Sequence, residues 1–247
     1  IFFSPHKFLG GPGSSGILIF DRAMYHNSIP DQPGGGTVDW TNPWGEYKFV
    51  DDIEAREDGG TPAFLQTIKA ALAIKLKEQM TVDKIHLREE FMVEYMMQKL
   101  QNIDNLKILA SEHSNRLPVF SFYHPEIHYN LIVRLLSDYY GIQVRGGCAC
   151  AGTYGHFLLE VSHEKSKAIT EKINRGDLSE KPGWVRLSLH PILTNKELDY
   201  IANAIKEIVQ HYKEMSKNYS YNNRSNEYFY IGAHENHNQF INEWFNL

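Results

Sequence analysis

The sequence predicts an α/β chain in three parts. The remainder of one α/β unit occupies residues 1–82, a compact α/β domain 83–215 and an extension 216–247. Three observations predict this. Apolar residues recur at helical spacing in several separate segments, and runs of β-forming residues such as LPVFSFYH and WVRLSLHP lie between them. The pattern also breaks near Met80 to Asp83, where one helical run ends and another begins.

Taken in order, IFFSPHKFLGGPGSSG reads as a loop, because Pro5, Pro12, Gly10, Gly11, Gly13 and Gly16 forbid a regular helix. A strand, GILIFDR, follows. From Ser28 to about Gly60 the chain reads as a long loop with Trp40, Trp44, Tyr47 and the run Gly34-Gly35-Gly36-Thr37. So long a loop is usually functional or packs on a partner. Thr61 and Pro62 fit the N-cap and first position of a helix. The body of that helix carries Phe64, Leu65, Ile68, Ala71, Leu72 and Leu76 on one face. A second helix is expected from about Asp83 to Ile103, on a face of Leu87, Phe91, Tyr95, Met96 and Leu100. Strands are expected at LKILA and LPVFSFYH. A helix from His128 to Tyr140 is stopped by Gly141. IQVR is a short strand leading into Gly146-Gly147-Cys148-Ala149-Cys150-Ala151-Gly152. Then come a helix near Lys165 to Asn174, the strand WVRLSLHP, and a helix from Thr194 to about Met215 with Leu198, Ile201, Ile205 and Ile208 on one face. Ser216 to Leu247 is rich in Asn and Tyr and weakly patterned.

Composition narrows the function classes. With 42% hydrophobic and 22% charged residues the chain is ordinary globular protein. A net charge of −5 disfavours nucleic acid or an anionic membrane as the main partner. No apolar run approaches the roughly 20 residues of a membrane helix. Two cysteines make no disulfide framework and point to a reducing compartment, the cytoplasm. The chain opens at Ile1 with no signal-peptide pattern, and the expectation is a piece of something larger.

Four segments could carry chemistry. Ser4-Pro5-His6-Lys7 precedes the glycine loop, where backbone N–H groups could cradle a phosphate and a lysine could form a Schiff base. No Gly-Lys-Ser/Thr ending supports a P-loop. Arg145 to Cys150 sets a thiol among small residues beside a guanidinium, the setting of reactive cysteines; the alternatives are burial as inert small residues, or two metal ligands lacking the second pair a structural zinc site needs. Arg186, inside an alternating strand, serves a surface ion pair or bidentate capture of a carboxylate. Thr37 ends a glycine run and is a turn residue or a phosphate donor. The 12 histidines are scattered. His124 and His128 straddle a turn, and His234 and His237 lie in the tail, so no metal is expected.

In this order the runs SPHKFLGGPGSSGILIFDR, PGGGTV, DGGTPAFLQTIKAAL, YGIQVRGGCACAG and WVRLSLHPILTNKELDYI resemble the class V aminotransferase family of fold-type I pyridoxal-phosphate (PLP) enzymes. The branch they resemble is that of cysteine desulfurases and selenocysteine lyases. The likeness covers roughly residues 1–212. It implies the small C-terminal α/β domain of a fold-type I PLP-dependent transferase, preceded by the end of the large PLP-binding domain. By that resemblance Lys7 carries PLP covalently, and Ser4 and His6 contact its phosphate. Thr37 reaches the phosphate of a neighbouring subunit, which implies a homodimer. Cys150, five residues after Arg145, is the nucleophile; Arg186 holds the substrate carboxylate, with Arg145 as a second substrate-side arginine. The implied substrate is a small amino acid, and the implied partner a sulfur-acceptor protein.

Three departures stand beside it. Cys148 adds a second thiol, which leaves open which cysteine is the nucleophile and allows a CxC disulfide or a shared persulfide. Ala151 to His156 differs from the common desulfurase continuation, which keeps open a class V aminotransferase or lyase without a cysteine nucleophile, or a non-catalytic interaction module. The aspartate and stacking histidine that relatives carry upstream of the lysine are not in this sequence. The expectation is therefore that these 247 residues alone bind PLP weakly or not at all and are inactive.

Overall fold

The computed structural model describes residues 1–232 and 237–245, with side chains undescribed at 237–240. The chain divides into two compact units, Ile1–Ile85 and His86–Leu247.

In the first unit, β1 (Phe2–Phe3) and β2 (Ile17–Leu18) pair antiparallel, Phe2 opposite Leu18. Ile1 and Ile19 exchange two further hydrogen bonds beyond that pair. The hairpin brackets the predicted glycine loop. Pro5–Lys7 form a single 3-10 turn within it. Gly11 passes so close to that turn that a Cβ would lie 1.8 Å from the Pro5 carbonyl oxygen.

The expected long loop contains a second hairpin, β3 (Val38–Thr41) and β4 (Tyr47–Phe49). Its turn is tied by Asn42, whose Oδ1 accepts from the N–H groups of Trp44 and Glu46 at 3.0 and 3.1 Å. Strands of three and four residues, mostly exposed, leave no alternation for a sequence reading to detect. A short helix, α1 (Ile53–Glu57), starts on the Asp52 cap.

α2 (Phe64–Met80) begins later than expected. Its N-cap is Ala63, whose carbonyl accepts from the Thr67 N–H at 2.9 Å. Thr61 is therefore not the cap, consistent with the extended backbone favoured before a proline. The expected inward face is also displaced. Ala70 and Ala73 are the buried residues, while Phe64, Leu65, Ile68 and Leu72 are exposed.

The second unit takes all but the first four residues of α3 (Val82–Gln101). It continues with β5 (Lys107–Ile108), β6 (Val119–Tyr123), α4 (Tyr129–Tyr140), β7 (Arg145–Gly147), α5 (Gly152–Leu158), α6 (His163–Asn174), β8 (Trp184–Ser188) and α7 (Asn195–Met215). The hairpin β9 (Tyr219–Asn222) and β10 (Glu227–Tyr230) and helix α8 (His237–Phe245) follow. One sheet, in the order β5-β6-β8-β7, is antiparallel throughout.

Several local expectations are met for the expected reason. α4 ends at Gly141, φ 65°, and α7 starts at a Thr194–Glu197 capping box. The expected IQVR strand is displaced to β7. The Ile142 N–H is spent on the Leu136 carbonyl at the end of α4, while Ile142 and Val144 pack against the core. α5 and the hairpin were not legible in the sequence.

Alternation places Phe120, Phe122, Val185 and Leu187 on the inner face of the sheet. They are buried with Met92, Met96 and Leu100 of α3, Leu135 and Leu136 of α4, and Leu198, Ile205 and Ile208 of α7. The opposite face of β8 carries Trp184, Arg186 and Ser188.

Candidate active site

The first unit holds Ser4, His6, Lys7 and Thr37. Lys7 ends the 3-10 turn, its N–H bonded to the Ser4 carbonyl at 3.1 Å. The Ser4 hydroxyl makes no cap bond. His6 and Lys7 are exposed, and neither makes an ion pair or side-chain hydrogen bond among the described residues. A free amine on a turn fixed by the neighbouring glycine loop suits covalent attachment of an aldehyde cofactor. Lys7 therefore fits covalent attachment of PLP, and Ser4 and His6 lie on the same turn.

Thr37 does not fit the outward role expected of it. Its side chain is 1% exposed, and its hydroxyl donates to the Gly34 carbonyl at 2.6 Å while accepting from the Gly34 N–H at 3.3 Å. The hydroxyl closes its own turn. Ser14, which the sequence reading treated as loop, has a buried hydroxyl without a hydrogen-bond partner among the described residues. Nothing in the sequence distinguishes it from Ser15.

The second unit holds Arg145, Cys148, Cys150 and Arg186. Register sets Arg186 opposite Ser121 on β6 and opposite Arg145 on β7. Like charges directly opposite on paired strands destabilise the pair. The Arg186 side chain makes no hydrogen bond or ion pair among the described residues, and its Nε is buried and unpaired. The surface ion pair, one of the two readings of Arg186, is not seen among the described residues. The unpaired guanidinium is available to a carboxylate, which it could take in bidentate fashion.

After β7 the chain turns tightly. The Ala151 N–H donates to the Cys148 carbonyl at 2.8 Å, with Ala149 at φ 49° and Cys150 at φ 65°. Left-handed backbone at two successive non-glycine residues is strained, a state that gathers at functional sites. The turn presents the Cys150 thiol to solvent, and Arg145 donates a guanidinium N–H to its sulfur at 3.2 Å. Both cysteines are free, Cys148 half-buried and Cys150 exposed.

A cleft of about 620 Å³ opens at the β7 edge of the sheet, lined by Arg145, Cys148, Cys150, Lys181, Asn226 and Tyr228 among others. Its far wall is the C-terminal hairpin. Gly146 lets β7 approach α4, since a Cβ there would meet the Asn130 Oδ1 at 2.3 Å. Asn226, at φ 60° and buried, fixes the hairpin. It donates to the Tyr129 hydroxyl at 2.7 Å and accepts from the Tyr221 hydroxyl at 2.7 Å, while its carbonyl takes the Asn130 amide. His128 lies against the rings of Tyr129, Tyr221 and Tyr228, and burial pushes its pKa down. Its Nδ1 accepts from the Asn130 N–H at 3.1 Å, as the helix cap. The sequence reading missed this wall, because a hairpin of Asn and Tyr has no apolar face to signal it.

Among the described residues no cluster of His, Cys, Asp and Glu could hold a metal, and no helix is long and apolar enough to cross a membrane. His234 lies outside the described residues, as does the side chain of His237.

A family model, aminotransferase class V, matches residues 1–201. The chain belongs to that family. A probable cysteine desulfurase of Staphylococcus epidermidis is 31% identical over 149 residues, covering 60% of this chain and 35% of the relative. One of Staphylococcus aureus is 25% identical over 205 residues, covering 83% and 44%. The chain thus spans less than half the length of these relatives. The fold is shared with the cysteine desulfurase of Thermococcus onnurineus, at a TM-score of 0.55 and 23% identity over 73% of this chain and 39% of that one. It is shared too with the Escherichia coli cysteine desulfurase CsdA, at a TM-score of 0.53 and 17% identity over 73% and 39%. This is the α/β fold of the fold-type I PLP enzymes. Mixed helices and strands are as expected from the sequence, and the antiparallel direction of the main sheet is what the structure adds.

Proposed function

We propose that this chain carries the attachment lysine, the substrate arginine and the nucleophilic cysteine of a PLP-dependent cysteine desulfurase. The observation that carries the reading is the second-unit loop. An exposed Cys150 receives a guanidinium N–H from Arg145, and the strand partner of Arg145, Arg186, has a buried Nε with no hydrogen-bond partner among the described residues. Family membership and relatives named as probable cysteine desulfurases support it.

Bound PLP supplies an electron sink for the substrate carbon. Lys7 binds it through Nζ and then holds and returns the proton at the substrate Cα. Arg186 orients the substrate through its carboxylate. Cys150 attacks the substrate sulfur; the Cβ–S bond of cysteine breaks, an S–S bond forms on Cys150, and alanine leaves. Thiol plus cysteine thus becomes persulfide plus alanine. The same reading takes cysteine or selenocysteine as substrate. It also takes a homodimer as the working assembly, a sulfur-acceptor protein as partner and the cytoplasm as the compartment.

The test is cysteine turnover by the protein at the full length of its relatives, loaded with PLP and read as alanine and sulfide. Cys150→Ala is expected to lose at least 100-fold in alanine formation and Lys7→Ala all of it. Arg186→Ala is expected to raise KM for cysteine at least tenfold. Undiminished alanine formation in Cys150→Ala would move the nucleophile to Cys148, and undiminished formation in both Cys150→Ala and Cys148→Ala would replace this reading with a class V lyase or aminotransferase that needs no cysteine. The 247-residue chain alone is expected to bind PLP weakly. Tight binding, with the cofactor fixed on Lys7 by borohydride in the peptide mass, would overturn that expectation.

A further inference from the structure

We propose that Cys148 is a second sulfur-carrying residue, which takes the outer sulfur of a Cys150 persulfide and holds it inside the cleft at the β7 edge. The proposal rests on the desulfurase reading above and adds a step after it. The two thiols share one cleft but differ in setting, Cys150 exposed and Cys148 half-buried. Sulfur picked up at the exposed position is open to any passing thiol. At the inner position it is shielded.

Geometry permits the hand-over. Cys148 and Cys150 stand two residues apart in a turn closed by the Ala151–Cys148 hydrogen bond of 2.8 Å. Their Cα atoms are therefore at most about 7 Å apart, which overlaps the span over which two cysteines share an S–S bond. The strained backbone has a use here. Left-handed conformations at Ala149 and Cys150 bend the chain back on itself, where an extended strand would point alternate residues along one line.

The surroundings suit storage. Behind Cys148 lie α5 and β8. A Cβ placed on Gly155 would sit 3.0 Å from the Trp184 ring and 3.8 Å from the Cys148 Cβ, so this wall is closely packed. In front stands the C-terminal hairpin, with Asn226 and Tyr228 facing the cleft. That hairpin begins after residue 201, where the family match ends.

The step balances without an outside oxidant or reductant. The Cys148 sulfur attacks the outer sulfur of the Cys150 persulfide. A Cys148–S bond forms, the S–S bond on Cys150 breaks, and the Cys150 sulfur leaves toward the Arg145 guanidinium already bonded to it. The proton shed by Cys148 ends on Cys150. One persulfide and one thiol become one thiol and one persulfide.

The test bypasses cysteine and PLP, so its failure is distinct from failure of the desulfurase reading. The 247-residue chain is treated with a limiting amount of inorganic polysulfide, quenched at intervals with iodoacetamide, and the loop peptide is fragmented to locate the added sulfur. In the wild type, label on Cys148 is expected to follow label on Cys150. It should accumulate at least tenfold faster than Cys148 labels in Cys150→Ala, with Cys150→Ser as a second variant should the first misfold. In Cys148→Ala the label is expected to stay on Cys150. Three results would overturn the proposal: equal labelling of Cys148 with and without Cys150, label confined to Cys150 in the wild type, or a Cys148–Cys150 disulfide with release of free sulfide.

Discussion

Helices α2 and α7 carry the same kind of apolar stripe and meet opposite fates. In α7, Leu198, Ile205 and Ile208 are almost completely buried in the core of the second unit. In α2, Phe64, Leu65, Ile68 and Leu72 are between 56 and 79% exposed, and the contact face is made by Ala70 and Ala73. Helical periodicity predicts a helix, and both helices form. Whether the stripe is used depends on what else the chain supplies to cover it. The second unit supplies a sheet and two further helices. The first supplies two small hairpins and a glycine loop.

The largest expected effect lies on the buried side of that comparison. Ile205→Ala removes a side chain that is 1% exposed and leaves a cavity under β6 and β8. It should cost about 3 kcal/mol, read as a drop in the urea midpoint followed by near-UV signal from the buried Trp184. A loss under about 1 kcal/mol would mean the core is loosely packed and the contrast between the helices is false.

Next comes the hairpin, where polar bonds replace apolar burial. Asn226→Ala leaves the Tyr221 hydroxyl without its acceptor and removes the amide that donates to Tyr129, whose hydroxyl keeps its bond to the Lys181 carbonyl, and should cost about 2 kcal/mol. Asn226→Gly keeps the left-handed backbone but loses the same bonds, so most of the cost should remain. Recovery in the glycine variant would show that φ 60°, and not the amide, is what matters.

pH provides a third lever on the same wall. Burial lowers the pKa of His128 from 6.5, so the folded unit holds it neutral while the unfolded chain binds a proton near 6.5. Its contribution is complete above about 6.5 and is lost as pH falls from there through the folded value. His124 is lowered by burial too and acts in the same direction. The carboxylates held down by hydrogen bonds, Glu197 and Asp177, act only below their ordinary values of 4.5 and 3.8. The second unit should therefore be less stable at pH 5.5 than at pH 7.5. His128→Asn, which caps α4 without titrating in this range, should reduce that difference. An unchanged difference would assign it to His124.

The sequence shows the site unevenly, for physical reasons. Cys150, Arg145 and Arg186 stand out because rare residue types sit in small-residue or alternating settings, and register then brings the two arginines opposite each other. For Thr37 the glycine run leaves open whether the hydroxyl closes the turn or reaches a phosphate; it faces inward, to Gly34, as a turn residue. The start of α2 was misplaced because the Thr61-Pro62 pair imitates a cap, yet Ala63 is where the hydrogen bonds begin. The hairpin was illegible because its stability comes from Asn226, Tyr129 and His128, and polar contacts between distant segments leave no period in a sequence.

The smallest expected effect tests the exposed side of the comparison. Leu72 is 60% exposed, so truncation to Ala removes little buried area and substitutes a better helix former. The change in stability should stay within about 0.5 kcal/mol, and amide exchange along α2 should be unaltered and independent of protein concentration. Slower exchange in α2 as concentration rises, abolished by Leu72→Ala, would mean that a second copy covers this face in solution. The stripes of α2 and α7 would then differ in where they find their cover, within the chain for one and between chains for the other.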